Sequence, residues 1–272
     1  MRDYCLELAA SKKSSTAKYN AMREYLQAYA LRIMHSAGLF STTAFVGGTA
    51  LRFLYDLPRF SEDLDFSRHK KSAVSFMDLM RIVKQEFVLA GYELSIACKE
   101  AKPVQSAFLR IERLMYDAGL SPLKTQKFSI KIEIDTHPPS GAVLTTQIVN
   151  KFFPIAFLSH DLPSLFAGKI AALLTRKYTK GRDFFDIAWY LSRFKTITPN
   201  LKFLHNALLQ SGFKKALPTA DDWREYLYRV VEKVDWELIY QDTVNFLENP
   251  PDMDVFTREN VLKLIGGEDA KM

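Results

Sequence analysis

Eight consecutive residues, FSIKIEID from Phe128 to Asp135, alternate apolar and polar without a break. A strand sends successive side chains to opposite faces. Ile130, Ile132 and Ile134 therefore share one face, and Lys131, Glu133 and Asp135 share the other. This is the period of a half-buried strand, so the fold must contain a sheet. EDLDFS, residues 62–67, repeats the pattern more briefly and sets Asp63 and Asp65 side by side on one face, roughly 7 Å apart along the strand.

The surrounding chain supplies further elements. AKYNAMREYLQAYALRIMHSAG reads as a helix closed at Gly38, and SAVSFMDLMRIVKQEFVLAGY as a second amphipathic helix. TTAFVGG is a β-rich run ending at glycines. TALRFLYD follows it as a short helix with Thr49 as its expected N-cap. YELSIACKE and VQSAFLRIERLMY read as strands, with TTQIV and PIAFL as shorter ones. Beyond SHDLPS the pattern turns helical in LPSLFAGKIAALLTRKY, GRDFFDIAWYLSRF, LKFLHNALLQSG, DWREYLYRVVEKV and WELIYQDTVNFLE, followed by a loose tail. The fold class expected is α+β. A domain with a mixed sheet spans residues 1–155, and a mainly helical domain spans 156–272.

The 272 residues, 48% hydrophobic and 25% charged, suit a folded chain with a real core. No apolar run reaches the ~18–20 residues of a membrane span, and the N-terminus lacks a signal-peptide stretch, so the cytoplasm is the expected compartment. Cys5 and Cys98 read as free thiols. His35, His69, His137, His160 and His205 show no metal-ligand spacing. The aromatic residues Phe184, Phe185, Trp189 and Tyr190 read as core, whereas Tyr178 stands in a basic stretch that suits base stacking. The net charge is +6, and it is unevenly spread. Residues 169–215 carry ten Lys or Arg against two Asp, while residues 216–272 carry six against thirteen acidic residues. Such a split makes a directional field that suits a polyanionic partner.

The chemistry concentrates in FVGGTALRFLYDLPRFSEDLDFS, residues 45–67. Two carboxylates on one strand face repel unless a cation lies between them, and Mg²⁺ accepts oxygen ligands from one or two carboxylates plus phosphates. Gly47 and Gly48 lack Cβ atoms, so their backbone can approach a phosphate at the start of a helix. Thr49 or Ser61 offers a hydroxyl, and Arg52 and Arg59 offer bidentate contacts to phosphate oxygens.

GGTALR followed by R-x-S-x-D-x-D, here Arg59, Ser61, Asp63 and Asp65, resembles the first motif of the AbiEii-type nucleotidyltransferase toxins of type IV toxin–antitoxin systems. The MenT toxins belong to the same group, a branch of the polymerase-β-like nucleotidyltransferase superfamily. The resemblance runs from about residue 43 to about 192. It implies a third carboxylate on KIEID, with Glu133 fitting the family's Lys-x-Glu pattern and Asp135 as the alternative. It implies a lysine in KIAALLTR, Lys169, with Arg176 seven residues on. It also implies a final motif in GRDFFDIAWYL, where Arg182, Asp183 and Asp186 would share a helical face.

On this resemblance the helical domain completes the active site. Asp63, Asp65 and Glu133 would hold Mg²⁺ or Mn²⁺, and Gly47, Gly48, Thr49, Arg52 and Ser61 would line the NTP. Lys169 would neutralise phosphate charge, with Arg182, Asp183 and Asp186 orienting it or the nucleotide. The expected reaction is transfer of NMP from NTP to a nucleic-acid hydroxyl, at the tRNA 3′ acceptor end, with a cognate antitoxin as partner. Transfer to a protein hydroxyl and non-catalytic sequestration of tRNA or a partner are the alternatives. The acidic last quarter reads as a helical cap, with a surface for a basic antitoxin as its alternative.

Overall fold

The computed structural model describes residues 1–72, 74–100 and 103–267. Ala73, which falls in the expected second amphipathic helix, and residues 268–272 of the acidic tail lie outside the described residues. The chain forms two compact units. The first comprises Met1–Asp56, Phe60–Pro138 and Leu144–Ser159; the second comprises Leu57–Arg59, Pro139–Val143 and the chain from His160 onward.

The first unit is built on a seven-stranded mixed sheet. Its strands are β1 (Thr43–Val46), β2 (Asp63–Arg68), β3 (Leu94–Lys99), β4 (Val104–Ile111), β5 (Phe128–Asp135), β6 (Leu144–Asn150) and β7 (Pro154–His160), in the order β3-β4-β5-β2-β1-β7-β6. β2 runs parallel to β5 and antiparallel to β1, and β1 runs parallel to β7. The helices are α1 (Arg2–Ala10), α2 (Ser15–Ser36), α3 (Gly47–Tyr55), α4 (Phe76–Leu89) and the single turn α5 (Leu114–Asp117). Ser14 caps α2 by accepting from the Ala17 amide, and Gly38 follows its end with φ 81°. Ser75 caps α4 in the same way through the Asp78 amide.

Across β1, β2, β4, β5 and β7 one face of the sheet is apolar and buried. Phe45, Leu64, Phe66, Ile130, Ile132, Ile134 and Phe157 share a core with α2 and α4. Ring contacts fix the arrangement: Tyr19 on Phe128 at 4.7 Å, Tyr29 on Phe87 at 4.9 Å, and Phe45 stacked on Phe157 at 5.4 Å. Each buried side chain of this size contributes about 1.5–3 kcal/mol, so this face alone fixes which way β2 and β5 are turned.

The second unit is helical: α6 (Leu162–Thr175), α7 (Gly181–Arg193), α8 (Leu201–Gln210), α9 (Trp223–Lys233), α10 (Trp236–Thr243) and α11 (Arg258–Gly266). Asp161, Asn200 and Thr257 cap α6, α8 and α11 with their side chains. Phe166, Tyr190 and Trp223 pack α6, α7 and α9 together, with Phe166 4.6 Å from Tyr190 and 5.5 Å from Trp223. α7 begins at Gly181 because α10 lies against it: a Cβ there would run into the Ile239 carbonyl oxygen.

Four local expectations change. VQSAFLRIERLMY leaves the strand at Ile111 and turns into α5. The helix through Lys169 stops at Thr175, and Arg176 takes extended angles (φ −68°, ψ 135°). The expected loose tail contains α11. Val46, not Thr49, occupies the N-cap of α3, because the two glycines already form its first turn.

Candidate active site

In the first unit the buried face of the sheet dictates the exposed one. With Leu64 and Phe66 in the core, Asp63 and Asp65 emerge on the opposite face of β2. The parallel register sets Asp63 beside Lys131, Asp65 beside Glu133 and Ser67 beside Asp135. Glu133 is thus the acidic neighbour of Asp65. Asp135 lies one step further on, and its carboxylate accepts the His137 amide at 2.9 Å. The Lys131 Nζ lies 2.8 Å from the Glu133 carboxylate. Burial alone would lower the pKa of Lys131, but the Glu133 hydrogen bond and charge, with Asp63 and Asp65 behind them, outweigh it and raise the value. Lys131 is therefore a cation drawn into an acidic cluster rather than a solvated strand residue.

The glycine turn belongs to this cluster. β1 pairs with β2 so that Val46 lies opposite Asp65, and the next residue, Gly47, has φ 79°. A Cβ on Gly47 would sit 2.6 Å from Oδ2 of Asp65. Only glycine lets this backbone turn lie directly against that carboxylate. Gly48 is buried in the first turn of α3. Thr49 is fully buried and donates its hydroxyl to the Asp63 carbonyl at 2.5 Å, so it ties α3 to β2. Gln27 of α2 donates to the carbonyls of Ser61 (3.0 Å) and Glu62 (2.9 Å) and fixes the lead-in to β2. Arg52 is buried against Glu24 at 2.6 Å and lies 4.6 Å from the centre of the Phe60 ring. Lys151 reaches the same Glu24 at 2.8 Å. Arg52 holds α3 against α2.

The donor set gives a test of fit for a divalent cation. Asp63, Asp65 and Glu133 offer hard oxygen donors on neighbouring positions of one face, which is the chemistry that Mg²⁺ prefers. Among the described residues, however, no group of three or more Asp, Glu, His or Cys is placed to hold a metal ion by itself. The residues fit an open site, in which one or two carboxylates share the cation with substrate phosphates and water.

The second unit holds its own charged cluster. Asp186 of α7 is fully buried and receives both arms of the Arg59 guanidinium at 2.6 Å each, and Lys169 Nζ at 2.6 Å. Asp183, one turn earlier, accepts from Lys169 at 3.0 Å and from Arg176. Burial alone would lower the Lys169 pKa, but Asp186 and then Asp183 outweigh it, so the ammonium is held above its usual range. Burial alone would raise Asp183, and Lys169, Arg176 and Lys180 outweigh it in the other direction. The structure brings Lys169, Asp183 and Asp186 together. It turns Arg182 elsewhere, toward Asp242 of α10 at 3.5 Å and over the Phe246 ring at 4.0 Å.

Spacing in the sequence could not disclose two of these contacts. Arg59 and Asp186 are 127 residues apart, and Gln27 lies on a helix 34 residues before the carbonyl it holds. The sequence suggests that Lys131 is a solvated strand residue. It shares a face with Glu133 because residues two apart on a strand point the same way, and that spacing was the available signal.

Comparison with known proteins agrees with this architecture. The fold resembles that of MenT4, a nucleotidyltransferase toxin of Mycobacterium tuberculosis (TM-score 0.60, 16% identity, 99% of this chain and 91% of that one). It also resembles a candidate nucleotidyltransferase of H. pylori (TM-score 0.56, 18% identity, 91% of each chain) and JHP933 of Helicobacter pylori (TM-score 0.52, 18% identity, 90% and 87%). No curated protein matches the sequence. The fold is that of these nucleotidyltransferase structures. Residues 30–258 match the family described as nucleotidyl transferase AbiEii toxin, type IV toxin–antitoxin system, and the chain belongs to that family. It is a nucleotidyltransferase toxin, with NTP as substrate and an antitoxin as its family partner.

Proposed function

We propose that this chain transfers a nucleoside monophosphate from an NTP to the 3′ hydroxyl at the acceptor end of tRNA, blocking translation, with Mg²⁺ or Mn²⁺ as cofactor. One observation carries the reading: the register that sets Asp65 beside Glu133, with Gly47 pressed against the Asp65 carboxylate. Asp63 and Asp65 are the cation's ligands in this proposal, joined by Glu133. When bound, the cation would offset phosphate charge and lower the pKa of the attacking hydroxyl.

The chain's own residues do the rest. Gly47 and Gly48 let the backbone approach the triphosphate, and Ser61 supplies a hydroxyl beside them. Thr49, with its hydroxyl committed to the Asp63 carbonyl, positions β2 rather than touching substrate. Arg52 acts through α3 in the same indirect sense. Lys131 keeps Glu133 oriented and partly neutralised until substrate arrives. Within the helical unit, Asp183 and Asp186 hold Lys169 as a cation, and Arg182 pairs with Asp242 of α10. Little covalent work falls to the protein, so positioning and charge supply most of the rate. The family implies the cytoplasm as the place of action, and no described helix is long and apolar enough to cross a membrane.

The test is incubation with α-labelled NTPs, divalent cation and total tRNA. Label in the tRNA 3′-terminal nucleotide supports the reading. Label in protein, or in no acceptor at all, overturns it.

A further inference from the structure

Between α6 and α7 the chain runs RKYTK, residues 176–180, in a short non-helical connection. It walls a hollow of about 150 Å³ whose other side is Val230 of α9 and Val234 just past the end of that helix. Those two valines also line a second hollow, of about 570 Å³, that continues along α9. The two form one trough within the helical unit. The smaller part is too tight for a nucleotide, whereas the larger is in the range of ligand pockets, so an occupant must lie along the trough.

Its chemistry is mainly basic, although Arg229 also pairs with Glu225 at 3.0 Å and Arg176 with Asp183. The larger hollow carries Lys215, Arg229 and Lys233 around an apolar floor of Leu174, Val230 and Val234. The α9 cations are placed by helix period: Tyr226, Arg229, Val230 and Lys233 share one face, while Glu232 lies off it. The net acidity of the last quarter of the sequence therefore conceals a basic face. The smaller hollow adds Arg176, Lys177 and Lys180, with Asp183 as its acidic residue. Tyr178 stands 67% exposed, with the Arg176 guanidinium 5.3 Å from its ring centre. Phe213 and Tyr226 line the wider end. Burial, and then crowding by Lys169, Arg182 and Arg176 against Asp183, pulls the Lys180 ammonium below the usual lysine range. A bound anion would relieve that crowding.

We propose that this trough binds a single-stranded nucleic-acid segment, with phosphates on the cations of the α6–α7 connection and α9 and bases stacked on Tyr178 and Tyr226. Cations beside an exposed Tyr178 and a half-buried Tyr226, over an apolar floor, suit a flexible strand of phosphates and bases. The inference rests on the proposed function and deepens it, since it gives the acceptor strand its own binding surface.

The experiment measures fluorescence anisotropy of a 5′-labelled single-stranded RNA against the full chain, the triple variant Lys215→Glu/Arg229→Glu/Lys233→Glu, and Tyr178→Ala. Thermal melting checks the fold, and an NTP-induced melting shift checks the nucleotide site. We expect Tyr178→Ala to weaken RNA binding about tenfold. The triple variant should weaken it further and flatten the salt dependence by about 2 in log–log slope. Both should keep the NTP-induced shift. Wild-type RNA affinity in both variants, with tRNA labelling intact, overturns the trough and leaves the proposed function standing. Loss of tRNA labelling in the wild-type protein removes the function itself. Poly-glutamate binding as tightly as RNA, and unaffected by Tyr178→Ala, assigns the trough to an acidic polypeptide and overturns the proposal.

Discussion

Gly47 shows how much a single missing carbon decides. Its φ of 79° and the 2.6 Å approach that a Cβ would make to Asp65 act together. Gly47→Ala should cost about 1–3 kcal/mol in stability through backbone strain. It should cost transfer activity far more, because relief of the clash moves the Asp65 carboxylate. Urea melts and NMP-transfer rates, measured side by side, check this; an alanine variant with wild-type rate would contradict it. His160 makes a second prediction. Burial beside Phe203, opposed only by Asp161, pulls its pKa from 6.5 down to about 4. The unfolded chain therefore binds a proton that the folded chain refuses between those values, and stability falls as pH drops from about 6.5 toward 4. The loss should approach about 3 kcal/mol. Urea midpoints from pH 7.5 to 4.5 should slope for the wild-type protein and flatten for His160→Leu. Asp183, with its pKa below the ordinary 3.8, adds its loss only under more acid conditions.

At the scale of elements, the carboxylate face depends on contacts outside it. Gln27 satisfies two carbonyls of the lead-in to β2, so Gln27→Leu leaves both without that donor. The expected cost is about 1–3 kcal/mol. Transfer activity should fall while the NTP-induced melting shift persists; unchanged activity would show that the lead-in needs no such support. Period-two alternation made β2 and β5 legible, and helical periodicity made α2, α4 and α6–α10 legible, because each has one face in a core. α5 and the end of α6 were not legible, since LMYD and RKY carry apolar and helix-forming residues whose fate is set by tertiary contacts. α11 was missed because its cap, Thr257, follows a stretch of Pro and Asp that reads as loop.

At the scale of the molecule, the same limits explain which parts of the site could be read. Asp63, Asp65, Gly47 and Gly48 were legible because a local motif holds them. The register that chooses Glu133 as Asp65's neighbour required two strands to be paired across 68 residues. Arg59, expected to meet phosphate, instead grips Asp186, and no spacing in the sequence links the two. Block sums of charge located a basic middle and an acidic end, yet the basic face of α9 lies inside the acidic block. Charge summed over sequence misses what helix geometry sorts onto faces.

In the proposed reaction, oxygen donors on β2 and β5, gathered beside a glycine turn, form the transfer site. The most direct measurement is release of pyrophosphate from NTP in the presence of tRNA and divalent cation, by the wild-type protein and by Asp65→Asn. The substitution keeps size and removes the charge. The account predicts a loss of about a thousandfold or more in rate with the melting temperature preserved or raised, since like-charge repulsion on the face is relieved. A folded Asp65→Asn protein that still releases pyrophosphate at the wild-type rate would contradict it.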